Sequence, residues 1–246
     1  GSRFSPEIQH RKTITSMHPT KTFLISILVV FAWISTRAQY KDIQYFGSYS
    51  YGFGNLTAKV DPSLSGPMLN EVKQLKSGTS QQVELGVYFN TVGVAILHNS
   101  YRADAATTYE NMDFNSDGIW ENGALGNKLT LDFNGAKVLY RVPLMNNKLE
   151  AGCKAGLGIQ SYKMNTEQVM AGANPSRSTS VMRGHKVTYL AGLEVNYQVW
   201  KWVSIGLETS IIPGSYKNLA SNYYDSYRFS DNVTRLSSGV KIRLSL

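Results

Sequence analysis

The sequence predicts an all-β chain folded as an eight-stranded antiparallel up-and-down transmembrane β-barrel. Three observations predict it. Apolar and polar residues alternate with a period of two through most of the chain after residue 38. The segments between the alternating runs are by turns long and short. An export signal stands ahead of them.

The export segment comes first in the chain. Met17 is followed by His18 and Lys21, an apolar run from Phe23 to Ile34, and then Ser35-Thr36-Arg37-Ala38. A basic start, a short apolar stretch and a small-x-small site read as a signal peptide over 17–38, cut after Ala38. The run is shorter than the ~20 residues a spanning helix needs. Residues 1–16 read as an upstream segment and 39–246 as the barrel domain. The 246 residues carry 25 Lys+Arg against 17 Asp+Glu, a net charge of +8. Taking off Arg3, Arg11, Lys12, Lys21, Arg37 and Glu7 leaves 20 cations against 16 anions, a net of +4. No Lys/Arg run remains that would serve as a nucleic-acid footprint. A single cysteine, Cys153, excludes an internal disulfide framework and a Cys-based zinc site.

The strands follow in order. Ile43, Tyr45, Tyr49, Tyr51 and Phe53 share one face of the first, and Val83, Leu85, Val87 and Phe89 one face of the second. Residues 92–101 alternate less cleanly, because Leu97 and Tyr101 fall on the weaker face. In the fourth, Leu129, Leu131 and Phe133 oppose Thr130, Asp132 and Asn134. The phase then changes near Val138 and Tyr140, which suggests a bulge. Residues 149–160 set Leu149, Ala151, Cys153, Ala155, Leu157 and Ile159 against Glu150, Gly152, Lys154, Gly156, Gly158 and Gln160. The clearest run is 186–199, with Val187, Tyr189, Ala191, Leu193, Val195, Tyr197 and Val199 opposing Lys186, Thr188, Glu194 and Asn196. Val203, Ile205, Leu207 and Ile211 define the seventh strand, and Leu236, Val240, Ile242, Leu244 and Leu246 the eighth. No convincing helical stripe is present. The long connections are 55–80, 102–127, 163–184 and 213–232; the short ones are Asn90-Thr91, Pro143–Asn147 and Trp200–Trp202. Four long loops at one end and three tight turns at the other is the layout of an outer-membrane barrel, with the termini and tight turns periplasmic.

A soluble barrel also has one apolar face, turned inward. The polar faces here are rich in Gly, Ser and Thr, unlike a wetted surface. Aromatics gather near strand ends: Tyr197, Trp200 and Trp202 at the short-turn end, and Tyr101, Tyr162 and Tyr216 at the loop end. Tyr and Trp favour the membrane interface. Both features favour lipid over water outside. A secreted soluble ligand-binding barrel is the alternative.

If the apolar faces point to lipid, the interior holds Glu84, Asp132, Glu150, Glu194 and Glu208 with Lys154, Lys186, Arg235, Lys241 and Arg243. Pairing across the turn centred on Lys201 sets Val199 opposite Val203, Tyr197 opposite Ile205 and Glu194 opposite Glu208. Facing carboxylates repel and need cations beside them. Lys154 and Lys241 lie at matching heights, so a belt Lys154–Glu194–Glu208–Lys241 is expected. Eight strands enclose only enough space for side chains. The expectation is a charged plug, with a narrow channel as the rival and catalysis unsupported.

Signal, eight alternating strands, long outer loops, short turns and charged interior together resemble the small OmpA/OmpX-like outer-membrane barrels of Gram-negative bacteria, also filed as porin-family proteins. The resemblance covers residues 40–246 and rests on pattern. It implies a location in the bacterial outer membrane, contact with outer-membrane lipids, insertion by the barrel-assembly machinery, and an unidentified extracellular or envelope protein as loop partner. The family commonly ends in an aromatic residue; Leu246 stands there instead. No peptidoglycan-binding domain is expected after the barrel, so the resemblance is not extended to a periplasmic anchoring role.

Two motifs remain. Asp113, Asn115 and Asp117 with Gly118 match the start of an EF-hand loop, with Ile119 and Glu121 at the seventh and ninth positions. Ala124 replaces the bidentate glutamate, which leaves a weak Ca²⁺ candidate beside an ordinary acidic turn; no other cofactor is expected. His98 and Ser100 share the outer face of the third strand, an arrangement that resembles PagL-like lipid A deacylases. That chemistry needs a carboxylate to orient the histidine, and the alternation offers none outward on the neighbouring strands.

Overall fold

The computed structural model describes residues 43–60, 66–112, 121–146, 148–171, 176–216, 220–221 and 233–246. The signal segment 17–38 and residues 1–16 lie outside these. The elements are β1 (Ile43–Leu56), α1 (Gly66–Leu75), β2 (Ser77–Phe89), β3 (Val92–Met112), β4 (Glu121–Leu144), β5 (Leu149–Ala171), β6 (Ser176–Trp200), β7 (Val203–Ile212), β8 (Ala220–Ser221) and β9 (Arg235–Ser245).

Each long strand pairs antiparallel with its chain neighbour, and β9 closes the ring on β1, for example through Tyr49↔Ile242. β8 is only a two-residue rung on the outer part of β6, opposite Met182 and Arg183. Eight strands therefore form the wall. Its stagger can be followed rung by rung: Val92, Tyr140, Cys153, Leu193, Thr209, Ser238, Phe53, Thr79, then Arg102. One circuit returns to β3 ten residues beyond Val92, a shear of ten. With strands about 4.8 Å apart and a rise of about 3.3 Å per residue, that shear tilts the strands by about 41° and lifts each rung by about 3 Å per strand.

The outward residues form a continuous apolar belt. Tyr45, Tyr49, Phe53, Leu85, Ile96, Leu157, Val187, Leu193, Val195, Leu207, Val240 and Ile242 are all exposed. Inward stand Ser48, Ser50, Gln82, Glu84, Asn99, Lys137, Lys154, Glu194 and Lys241, all buried. An apolar exterior around a polar interior suits hydrocarbon outside, and closure leaves no unpaired sheet edge in it. The chain is an eight-stranded transmembrane β-barrel. Among the described residues no helix is long and apolar enough to cross a membrane; the strands do the crossing.

Four details differ from the sequence reading. First, β4 keeps one unbroken register with β3 from Gly123 to Tyr140 and with β5 from Asn122 to Leu144. Leu129, Leu131 and Phe133 point inward in phase with Lys137 and Leu139, while Tyr140 and Val142 face out. The outer half of the barrel has an apolar interior, so both faces are apolar along the strand and parity alone mimics a bulge. Second, Leu97 and Tyr101 on β3 are likewise core residues, at 5% and 0% exposure. Third, residues 102–112, 121–127, 163–171 and 176–184 continue the strands rather than forming loops. Fourth, the first long connection contains α1, with Val72 and Leu75 fully buried.

The core is layered. Phe46 and Tyr88, with ring centroids 4.9 Å apart, pack with Ala95 and Leu139 near the short-turn end. Leu97, Phe133, Leu190 and Ile212 form a middle cluster. Above it Leu56, Tyr101, Leu129, Leu131, Tyr162, Met164 and Met182 pack with Val72 and Leu75 of α1. Tyr101 donates its hydroxyl to the Leu75 carbonyl at 2.8 Å. Buried Glu71 accepts from Asn127, which accepts from Thr166 in turn.

Candidate functional site

The site with the highest charge density is the barrel interior. Glu84 on β2, Lys137 on β4, Lys154 on β5, Glu194 on β6, Glu208 on β7 and Lys241 on β9 all point inward and are buried. Correcting their register positions for the shear puts the six within about 4 Å of one height. Three carboxylates meet three ammonium groups there.

The contacts are dense. Lys241 Nζ donates to Glu194 Oε2 at 2.8 Å and to Glu84 Oε2 at 2.9 Å, and lies 3.6 Å from Glu208 Oε2. Lys154 Nζ donates to Glu208 Oε2 at 2.7 Å. Lys137 is paired with Glu84. Neutral donors fill the remaining lone pairs: Ser48 to Glu84 at 2.9 Å, Gln82 to Glu208 at 3.0 Å, Asn196 to Glu194 at 3.1 Å, and Ser50 to Glu208. Glu194 and Glu208 are direct register partners. Their repulsion is offset by the lysines on both sides, as buried charges require.

A second layer lies toward the short turns. Arg141 donates to Glu150 at 3.2 Å and to Gln44 at 2.7 Å, and its guanidinium sits 4.1 Å from the Tyr88 ring centroid. Arg243 pairs with Glu150 and lies 3.7 Å from Glu194. Arg235 stands apart, fully buried, donating to the Leu131 carbonyl at 2.8 Å.

Lys137 and Arg141 were not among the interior charges named from the sequence, although the phase change read near Val138 already turns them inward. The apolar series Val138, Tyr140, Val142 and Leu144 beside the tight turn was the signal that fixes their parity. Of the residues assigned inward, Asp132 lies outside and Lys186, on the inner parity with Thr188 and Leu190, is not enclosed. Asp132 lies on the outer face of β4, because its strand is in phase with Lys137 rather than against it. Lys186 is exposed: β7 ends at Ile212, opposite the region of Ala191, so the wall beside Lys186 is not continued by β7. In addition, an irregularity between Gln198 and Trp200 sets Trp200, not Val199, opposite Val203.

The interface aromatics divide. Tyr197, Trp200 and Trp202 are exposed at 49%, 62% and 58% at the short-turn end. Tyr101 and Tyr162 are buried inside, and half-buried Tyr216 packs on the same cluster with its ring centroid 5.3 Å from Tyr162. These three fill the barrel mouth because α1 and the strand extensions enclose them. Asp113, Asn115, Asp117 and Ile119 lie outside the described residues, and Glu121 opens β4 opposite Met112. Among the described residues no cluster of three metal-ligating side chains occurs.

On the exterior, His98 and Ser100 share one face of β3, with Asn134 and Asp132 directly opposite on β4. A carboxylate does stand outward beside Ser100, contrary to the sequence reading. The His98 ring bonds Asn134 Oδ1 at 2.8 Å rather than this carboxylate, and the Ser100 hydroxyl is buried without a partner.

No protein-family model matches the chain, and no curated protein matches it. Solved structures do. The attachment invasion locus protein Ail of Yersinia pestis is 11% identical with a TM-score of 0.43, covering 82% of this chain and 99% of that one. A major outer membrane protein from Thermus thermophilus is 10% identical with a TM-score of 0.45, covering 83% and 100%. Neisserial surface protein A is 12% identical with a TM-score of 0.37, covering 82% and 96%. The architecture described above is read from this chain's own strand registers.

Proposed function

We propose that this protein is a bacterial outer-membrane barrel with a closed interior, serving a structural or surface-binding role through the end that carries the long strands and α1. The observation that carries this reading is the interior itself. Six charges at one level neutralise one another around Lys241, and an apolar layer capped by α1 fills the mouth above them. An ion entering this path would have to displace paired, desolvated charges, and leaving one of them buried without its partner costs several kcal/mol. The short turns and both ends of the barrel domain then face the periplasm, and the long-strand end faces outward. The barrel-assembly machinery would insert the chain, and an envelope or extracellular protein would meet the outer end. Tyr223, Tyr224 and Tyr227, with Asn222, lie outside the described residues and supply contact chemistry for that role. Purified protein reconstituted in a planar bilayer should show no steady current. Sustained ohmic conductance from folded, heat-modifiable protein would replace this reading with a narrow pore.

A further inference from the structure

The apolar belt is not level. On β1, β5, β6 and β9 it rises to Phe53, Ile159, Val187 and Leu236, all exposed. On β2, β3 and β4 it stops at Val83, Ile96 and Ala136. Allowing for the shear, it stops there roughly 8 Å short of its height elsewhere. The missing rungs are polar. One runs Val83, His98, Asn134, Ile159, Val187, so that the His98–Asn134 pair replaces two apolar positions. The next outward rung is Gln81, Ser100, Asp132, Ser161, His185, and the one beyond is Thr79, Arg102, Thr130, Lys163, Arg183. Arg102, Lys128, Lys163 and Arg183 are exposed, and the ion pairs among the described residues involve none of them.

Polar side chains facing hydrocarbon are costly unless something satisfies them. Beside this notch, on the exterior of β4 to β7, lies a hollow of about 610 Å³ lined by Val138, Tyr140, Cys153, Ala155, Leu193 and Ile211. It exists because Cys153, Ala155 and Ala191 are small where their neighbours are large.

We propose that this flank is a binding site for a phosphorylated glycolipid of the leaflet at the long-strand end. Arg102, Lys163 and Arg183 reach its phosphates; adjacent strands space them by multiples of about 4.8 Å, and arginine can grip phosphate bidentately. His98, Asn134, Gln81 and Asp132 supply donors and acceptors to sugar hydroxyls at the depth of the notch. The unpartnered Ser100 hydroxyl lies in the same rung. The carboxylates of Asp132 and of Asp104, which stands opposite Lys128, disfavour a simple anionic phospholipid, whose headgroup brings negative charge with at most a few hydroxyls to donate. An acyl chain fills the hollow. The inference rests on the membrane reading above.

The test uses the folded barrel in detergent and measures retained lipid by native mass spectrometry. The probes are diphosphoryl lipid A, its dephosphorylated form, phosphatidylglycerol and phosphatidylcholine. Lipid A should be retained over each of the others. The R102Q/K163Q/R183Q variant should lower its retention at least tenfold. The H98L/N134L variant should erase the preference over phosphatidylglycerol while leaving phosphate-driven binding. These positions face outward, and heat-modifiable migration on gels verifies that each variant is folded. Equal retention of phosphatidylglycerol, or retention unchanged in the triple variant, overturns the proposal. Vesicle insertion is scored separately: a folded protein that stays outside vesicles sinks the membrane reading itself.

Discussion

Replacing Lys241 with methionine tests the interior most directly. The substitution keeps much of the side-chain volume and removes one ammonium. Lys241 makes two charge-assisted bonds, to Glu84 and Glu194, and stands 3.6 Å from Glu208. Each such bond contributes roughly 1.5–3 kcal/mol, and breaking a buried ion pair by deleting one partner costs about 3–5 kcal/mol. Three carboxylates would then share Lys137 and Lys154, a net charge of −1 in the middle of the barrel. We expect K241M to lose about 3–5 kcal/mol in guanidinium unfolding of the barrel in lipid vesicles. Adding E194Q should restore part of that loss, because it removes the carboxylate left with the weakest alternative cation, Arg243 at 3.7 Å. A loss below about 1 kcal/mol, with the two substitutions additive, would refute the argument that a mutually dependent charge cluster holds the interior.

Two further predictions probe the wall. L207R places a cation on the lipid face near mid-belt, at a position 66% exposed; unfolding in vesicles should show a loss of about 2–4 kcal/mol, and no loss would mean that this face does not meet hydrocarbon. At Gly52 a Cβ would fall 2.0 Å from the Ser238 carbonyl oxygen and 2.3 Å from the Gly239 Cα, whereas at Gly47 the nearest atom is the Leu85 Cδ2 at 3.3 Å. Gly52→Ala should therefore lower the folded fraction in a gel-shift refolding assay, with Gly47→Ala close to wild type.

Strand alternation was legible wherever one face is apolar and the other polar. β6 from Lys186 to Gln198 and β9 from Arg235 to Ser245 are such cases, and the facing carboxylates Glu194 and Glu208 followed from counting back from the turn at Lys201. Legibility failed where the interior is itself apolar. Leu129, Leu131 and Phe133 face the core and Val138 and Tyr140 face lipid, and no difference in residue type distinguishes those environments. Asp132 was misplaced as a result, since a one-residue change of phase flips a whole strand, and Lys137 and Arg141 on the opposite parity went unnamed. α1 was hidden by its length: ten residues whose burial comes from barrel side chains far away in sequence, not from a long stripe of their own. Its Pro67 near the start, and Val72 and Leu75 three apart, were the available local cues.

The ring closes only when β9 meets β1, joining residues as far apart as Tyr49 and Ile242. Until that seam forms, two rows of backbone donors and acceptors stand unpaired, and hydrocarbon offers them nothing. The strand Arg235–Ser245 is the latch: without its eleven residues the other seven strands would keep two bare lips that hydrocarbon cannot satisfy.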